Sequence, residues 1–212
     1  MPAKKVILNG NTIMDVTDTT AVASDVAQGK YFYDADGVKT VGTASGGGET
    51  NKLPAFVDGS LTTITAEDLA GATQFRGFLC YGFYPDLEAI SMPDTVLSIG
   101  DMAFEMCEGL TSVDLGNGLT TLGEAVFEGC TALESIELPA SIEEIGGSCF
   151  AGCSNLTSIT VRATTPPTLA DQLYYGTDGI SPTIYVPASS VSAYQSATNW
   201  SQYANQIQAI VE

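Results

Sequence analysis

The chain has 212 residues, 44% of them hydrophobic, and a formal charge of −18 from 25 acidic and 7 basic residues with no histidine. That length buries the core of one domain, or of one domain plus a small module. So acidic a surface argues against nucleic-acid or peripheral membrane binding, and no segment approaches the ~18 consecutive apolar residues of a membrane span.

The charge is uneven. Residues 1–47 net −1 and the remainder −17, where only Lys52, Arg76 and Arg162 are basic. Such a surface keeps a protein soluble and apart from its own copies; it also attracts cations or a basic partner.

At the N-terminus, Lys4 and Lys5 are followed by no long apolar run and no small-residue cleavage site. The expectation is a chain assembled inside the cell that makes it, unless the mature form starts elsewhere. Residues 1–44 read as a small α+β module. Val6–Met14 forms a hairpin around Asn9-Gly10, a strong two-residue turn signal. Thr20–Lys30 holds a short helix ending at Gly29. Tyr31–Tyr33 and Lys39–Thr43 flank Asp34-Ala-Asp-Gly37 as a second hairpin. That turn lacks the third acidic ligand and the Glu at position 12 of a calcium loop. Residues 45–52, rich in Gly, form a flexible linker. Too small for much of a core, the module is expected to dock on a partner or oligomerise, trimers included.

From 53 to 212 the chain repeats itself. Phe104, Phe127 and Phe150 recur every 23 residues, and Cys107, Cys130 and Cys153 keep step, as do Leu110, Leu133 and Leu156. Val113, Ile136 and Ile159 follow, then Leu115, Leu138 and Val161. A leucine-rich period of 20–29 residues is the signature of a leucine-rich-repeat solenoid. The units Phe104–Val126 and Phe127–Cys149 are the clearest, with Tyr81–Ala103 before them and Tyr84 in the cysteine column. Each carries Leu-x-x-Ile-x-Leu as a short strand with alternate residues inward. A turn at Pro93, Gly116 or Pro139 follows, then a return segment such as Ile142–Gly146. Gly100, Gly123 and Gly146 share one position, which fits a tight or left-handed backbone.

Solenoid ends need covers, and residues 53–80 and 162–212 read as those. In the second, Pro182–Pro187 is a strand, Pro187 opens a helix at Ala188–Thr198, and Trp200, Tyr203, Ile207 and Ile210 pack back on the last coil. Of the five cysteines, Cys107, Cys130 and Cys153 fall in one column and read as reduced core residues, since buried thiols pack as small hydrophobes. Without histidine or a Cys-x-x-Cys pair, no metal or cofactor is expected.

Phe127-Glu-Gly-Cys-Thr-Ala-Leu-Glu-Ser-Ile-Glu-Leu-Pro-Ala-Ser-Ile-Glu-Glu-Ile-Gly146 closely resembles the BspA-like, or Treponema-type, leucine-rich-repeat family, and residues 184–203 look like that family's usual ending. The resemblance implies a surface adhesin. Residues 16–43 resemble a short module of bacteriophage tail and fibre proteins. That match runs from Ala23 to Thr43 and includes Asp25, Val26, Gly29, Lys30, Phe32 and Gly37 as the anchoring residues.

The leading expectation is therefore a virion structural protein, of tail-fibre, head-fibre or capsid-decoration type. Its N-terminus seats on other virion proteins, and its solenoid touches a host-surface protein or glycan, made strong by many copies. The contact residues are those alternating outward on the strands: Ser91, Ser112, Asp114, Ser135, Glu137, Ser158 and Thr160; a merely solvated face accounts for them equally. The alternative is a bacterial cell-surface adhesin. An enzyme is not expected: there is no histidine for acid–base work, and Gly46–Gly48 lacks the strand, Lys and helix of a phosphate loop.

Overall fold

A computed structural model describes the backbone of residues 4–8, 11–16, 31–33 and 39–41, and residues 62–66, 69, 72–75, 86–175 and 181–211. In the N-terminal part, β1 (Lys4–Leu8) and β2 (Asn11–Val16) pair antiparallel, their ends flanking the predicted Asn9-Gly10 turn. β3 (Tyr31–Tyr33) pairs with β1 and with β4 (Lys39–Val41), giving the sheet order β2-β1-β3-β4. Both hairpin pairings are present. The helix expected at 20–30, the Asp34–Gly37 turn and the 45–52 linker lie outside the described residues.

The rest coils. In chain order its strands are β5 (Thr63–Ile64), β6 (Gln74–Phe75), β7 (Ala89–Ser91), β8 (Ser98–Ile99), β9 (Ser112–Asp114) and β10 (Thr121–Leu122). Then come β11 (Ser135–Leu138), β12 (Glu144–Ile145), β13 (Ser158–Val161), β14 (Thr168–Leu169) and β15 (Thr183–Val186). The 23-residue period becomes a parallel register: Ser135 faces Ser158, Ala89 faces Ser112, and Thr121 lies between Ser98 and Glu144. The even-numbered strands form one continuous back sheet, β14-β12-β10-β8-β6. The odd-numbered ones form the front.

Between the two faces lies the apolar filling that the repeat demands. Ile90, Ile136, Leu138 and Ile159 enter from the front, and Ile99, Leu122 and Ile145 from the back. Each such side chain contributes roughly 1.5–3 kcal/mol on burial. The phenylalanines stack as a column, with ring centroids 5.6 Å apart for Phe104–Phe127 and 5.9 Å for Phe127–Phe150. The ring beyond Phe104 is Phe75, at 4.7 Å, which the 23-residue period does not place there; Tyr81 and Tyr84 lie outside the described residues.

The predicted covers differ from expectation in a consistent way. Within 53–80, β5 and β6 pair with β7 and β8, so this segment continues both faces. At the other end, the helix expected over Ala188–Thr198 is a 3-10 turn at Ala188–Ser190 followed by α1 (Val191–Ser196). It stops early because Ala197 is extended, at ψ 151°. Ile207 lies in an unforeseen strand, β16 (Ile207–Ala209), parallel to β15. Trp200, Tyr203 and Ile207 are buried as expected, whereas Ile210 is only half-buried. Tyr194 and Trp200 pack edge to face, and their polar ends donate to the Ala163 and Pro167 carbonyls at 2.8 Å each.

Gly123 and Gly146 serve close approach, not a left-handed backbone. A Cβ on Gly146 would stand 2.4 Å from the Gly123 carbonyl carbon and oxygen. The recurring left-handed positions fall instead in two other columns, Met102, Ala125 and Ser148, and Met106, Gly129 and Gly152, with Gly116 and Asn199 left-handed outside them.

Candidate functional site: the front strand face and its crevice

Alternation along β7, β9, β11 and β13 sends every second side chain outward. All seven predicted contact residues stand on this one face, in two rows. Ser112, Ser135 and Ser158 occupy equivalent positions of successive coils; so do Ser91, Asp114, Glu137 and Thr160. Ser112, Asp114, Ser135 and Glu137 are exposed, while Ser91, Ser158 and Thr160 are half-buried between neighbouring strands. The Ser91 hydroxyl donates to Asp114 Oδ2 at 3.4 Å.

The face is not continuous. Its strands form two sheets, β5-β7-β9 and β11-β13-β15-β16, and among the described residues no ladder joins β9 to β11. The cause is local. Where neighbouring coils turn on Pro93 or Pro139, this coil turns on Gly116-Asn117-Gly118. Gly116 is left-handed, at φ 65°, and a Cβ on it would lie 2.8 Å from the Met92 carbonyl oxygen; one on Gly118 would overlap the Asp94 oxygen. Only glycine permits this approach. The Asn117 N–H then donates to Asp94 Oδ1 at 2.7 Å, and the Met92 N–H to the Asp114 carbonyl at 2.8 Å. The turn is thus pressed onto the preceding coil and drawn away from the following one. Contacts elsewhere between the two coils persist, as in Ala132 N–H to Glu108 O at 3.2 Å and Glu143 N–H to Thr120 O at 2.8 Å.

A crevice of about 590 Å³ opens at the C-terminal ends of these strands. Val113, Leu115 and Pro139 contribute its apolar wall, and Asp114, Glu137 and Arg162 its charges. Val113 is only half-buried, whereas Ile90, Ile136 and Ile159 at the same position are at most 4% exposed. Arg162 donates from Nε and Nη2 to the two Glu137 oxygens, each at 2.9 Å. This bidentate geometry fixes both side chains. Sequence reading named Asp114 and Glu137 but missed Arg162 and the crevice; the signal was the single prolinefree Gly-Asn-Gly turn among prolines.

Among the described residues, the cysteines form no site. Cys107, Cys130, Cys149 and Cys153 are free and buried. Cys130 Sγ donates to the Phe104 carbonyl at 3.3 Å and Cys153 Sγ to that of Phe127 at 3.1 Å. Burial pushes the Cys149 and Cys153 thiols up to about 12, far from the thiolate that nucleophilic or metal chemistry needs. Among the described residues, no group of three or more His, Cys, Asp or Glu is placed to hold a metal ion, and no helix is long and apolar enough to cross a membrane. Of the predicted anchoring residues, Phe32 lies on β3, opposite Val6 and Thr40; Asp25, Val26, Gly29, Lys30 and Gly37 lie outside the described residues.

Comparison with known proteins places this geometry. The pattern described as a BspA type leucine rich repeat region matches residues 77–203 in 6 copies. A leucine rich cell surface protein from Faecalibacterium prausnitzii is similar at 23% identity, with a TM-score of 0.48 over 86% of this chain and 38% of that one. A leucine-rich repeat protein from Bacteroides ovatus is 22% identical, with a TM-score of 0.45, over 72% of this chain and 43% of that one. One from Bacteroides capillosus is 23% identical, with a TM-score of 0.43, over 62% of this chain and 92% of that one. The chain thus spans well under half the length of the Faecalibacterium protein. No curated protein matches it.

Proposed function

The chain belongs to the BspA-type leucine-rich-repeat family, and on that premise we propose that it is a binding protein of the bacterial cell-surface adhesin class, which presents the front strand face to another molecule. The observation that carries this reading is the pair of outward polar rows on β7, β9, β11 and β13, held in register within β7–β9 and within β11–β13 over one apolar filling. A stiff parallel stack offers an extended surface with little to order on contact, which is how solenoids bind. Its partner is a surface protein or glycan. The chemistry favours binding over catalysis: the chain has no histidine, and the buried thiols are held protonated.

The test is to offer the labelled protein to arrays of extracellular-matrix proteins and glycans, with Ser112→Tyr plus Ser135→Tyr on the front and Glu144→Tyr on the back. Loss of binding in the front variant alone is the expected result. Equal binding by both variants would remove the front face from the reading.

The second reading is a virion protein seated by residues 1–44 on capsid or tail proteins, as a homo-oligomer. It is favoured by the resemblance of residues 16–43 to a phage module and by that alone. The family match begins at residue 77, so it lends this placement nothing, and the adhesin reading comes first. Immunogold labelling separates the two: gold on cell envelopes supports the adhesin, gold on phage particles the virion protein.

A further inference from the structure

From Asp86 to Val211 the chain carries 15 carboxylates and one cation, Arg162. That single cation stands in the crevice between β9 and β11, bidentate on Glu137. Across the crevice, Asp114 has a weaker set of partners. Its Oδ1 accepts the Gly116 N–H at 3.0 Å, and among the described residues its Oδ2 accepts a long bond from Ser91, at 3.4 Å. A carboxylate offers about four acceptor positions, so Asp114 keeps capacity toward the opening. Beside it, Val113 is the one strand residue of its column left half-buried and gives the apolar wall, with the largely covered Leu115 and Pro139 lining the crevice next to it.

We propose that this crevice receives an arginine side chain presented by an extended segment of a partner protein. The guanidinium pairs with Asp114, and its aliphatic stem lies along Val113, Leu115 and Pro139. Three properties of the crevice and its surroundings fit that occupant. An arginine combines a planar fork for a carboxylate with an apolar stem, and the crevice offers both surfaces side by side. The bidentate Arg162–Glu137 pair is this same chemistry made within the chain, one coil away. The surrounding excess of carboxylates draws a basic segment toward the face and repels an anionic one. The inference rests on the binding-protein reading above and adds to it the place and the chemistry of contact.

The experiment is a titration of the full chain with the blocked peptide acetyl-Gly-Arg-Gly-amide and its citrulline counterpart, which keeps the shape and loses the charge. Amide shifts are followed by NMR at low salt. The variants are Asp114→Asn, Ala140→Trp, which fills the opening from an exposed position without changing charge, and Glu144→Gln, an equal charge change on the back sheet. The expected result is shifts centred on Val113, Asn117 and Ala140, with affinity falling about tenfold in Asp114→Asn and Ala140→Trp and less than twofold in Glu144→Gln. Equal binding of citrulline, equal loss in Glu144→Gln, or shifts mapping elsewhere would each overturn the assignment. The array assay keeps the two readings apart. If Ala140→Trp binds surface targets as well as the unchanged protein does, the crevice assignment fails and the adhesin reading stands. Peptide binding at the crevice with no array target bound would do the reverse.

Discussion

Gly146 and Gly152 lie six residues apart, and replacing each by alanine separates two reasons a coil needs glycine. At Gly152 the backbone is left-handed, at φ 68°, yet a new Cβ would meet only Gly129 atoms at 3.6 Å, an ordinary contact. Met106 occupies the equivalent position with a full side chain at φ 59°, so the strain is bearable: about 1 kcal/mol. At Gly146 the backbone is not left-handed, but the Cβ would stand 2.4 Å from the Gly123 carbonyl and 2.5 Å from the Glu124 nitrogen. Restoring contact distance moves one coil off the next by about 1 Å. That shift stretches the Gly146 N–H bond to Leu122 O, now 2.8 Å, and the Ala125 N–H bond to Gly147 O, now 2.9 Å, beyond useful length. Overpacking at roughly 1–3 kcal/mol plus two weakened hydrogen bonds gives about 3–5 kcal/mol. Both substitutions recover a few tenths to about 1 kcal/mol from a stiffer unfolded chain, so the contrast survives. Urea titrations followed by far-UV circular dichroism and by the fluorescence of Trp200, the only tryptophan, measure it. Thermal midpoints fall by no more than about 2 °C for Gly152→Ala and by roughly 10 °C for Gly146→Ala. A Gly152→Ala protein as unstable as Gly146→Ala would refute the close-approach argument and restore a left-handed requirement.

Trp200→Phe keeps the edge-to-face contact with Tyr194 but leaves the Pro167 carbonyl without its buried donor; a loss of about 1–3 kcal/mol is expected in the same urea titration. Cys149 and Cys153 titrate near 12 in the folded protein, against about 8.5 in an open chain. The unfolded state therefore sheds its protons first, so stability is level below about pH 8.5 and falls steadily from there toward pH 12; denaturation midpoints across that range check it, against a Cys149→Ala, Cys153→Ala double variant with a shallower fall. With both side chains about half exposed, Arg162→Met changes stability by less than about 1 kcal/mol, a small effect that calorimetry will resolve. Phe127→Ala, in the middle of the ring column and wholly buried, costs about 3–5 kcal/mol and broadens the unfolding transition as the stack divides into two halves.

What the chain makes legible is whatever repeats. The period of 23 is the ladder register itself, so the sequence alone places Ser112, Ser135 and Ser158 outward and Phe104, Phe127 and Phe150 inward. Departures from that period hide the rest. Thr63 pairs with Ala89 and Gln74 with Ser98, offsets that are not 23, so Phe75 drops out of the aligned column although its ring completes the stack. The left-handed positions at Met102, Ala125 and Ser148 escape notice because no glycine marks them. Their conformation is imposed by bonds between coils, such as Met102 N–H to Glu124 O at 2.8 Å and Ser148 N–H to Gln172 O at 2.6 Å. β16 is three residues long, too short for an alternating pattern to declare itself, and exists because β15 offers it an edge.

The crevice shows how a repeat acquires one special place. In a stack whose coils are equivalent, a ligand has many equal registers to choose from and no reason to prefer one. Exchanging a proline turn for Gly116-Asn117-Gly118 breaks that equivalence at one step: it tightens the coil toward β7, loosens it from β11, and leaves the back sheet paired throughout. The unbroken β14-β12-β10-β8-β6 sheet and the Phe column carry the load that the front gives up, so the opening forms without dividing the core. It follows that restoring the neighbouring turn chemistry, by Gly116→Pro with Gly118→Ser, closes the crevice by moving the turn. Proline at 116 would have to abandon φ 65°, and a side chain at 118 would strike Asp94, so the turn must swing toward Pro139. The expected outcome is a β9–β11 ladder with slowed amide exchange at Ser135 and Glu137 and a buried Val113. Fast exchange at those amides in a folded double variant would show that the gap has another cause.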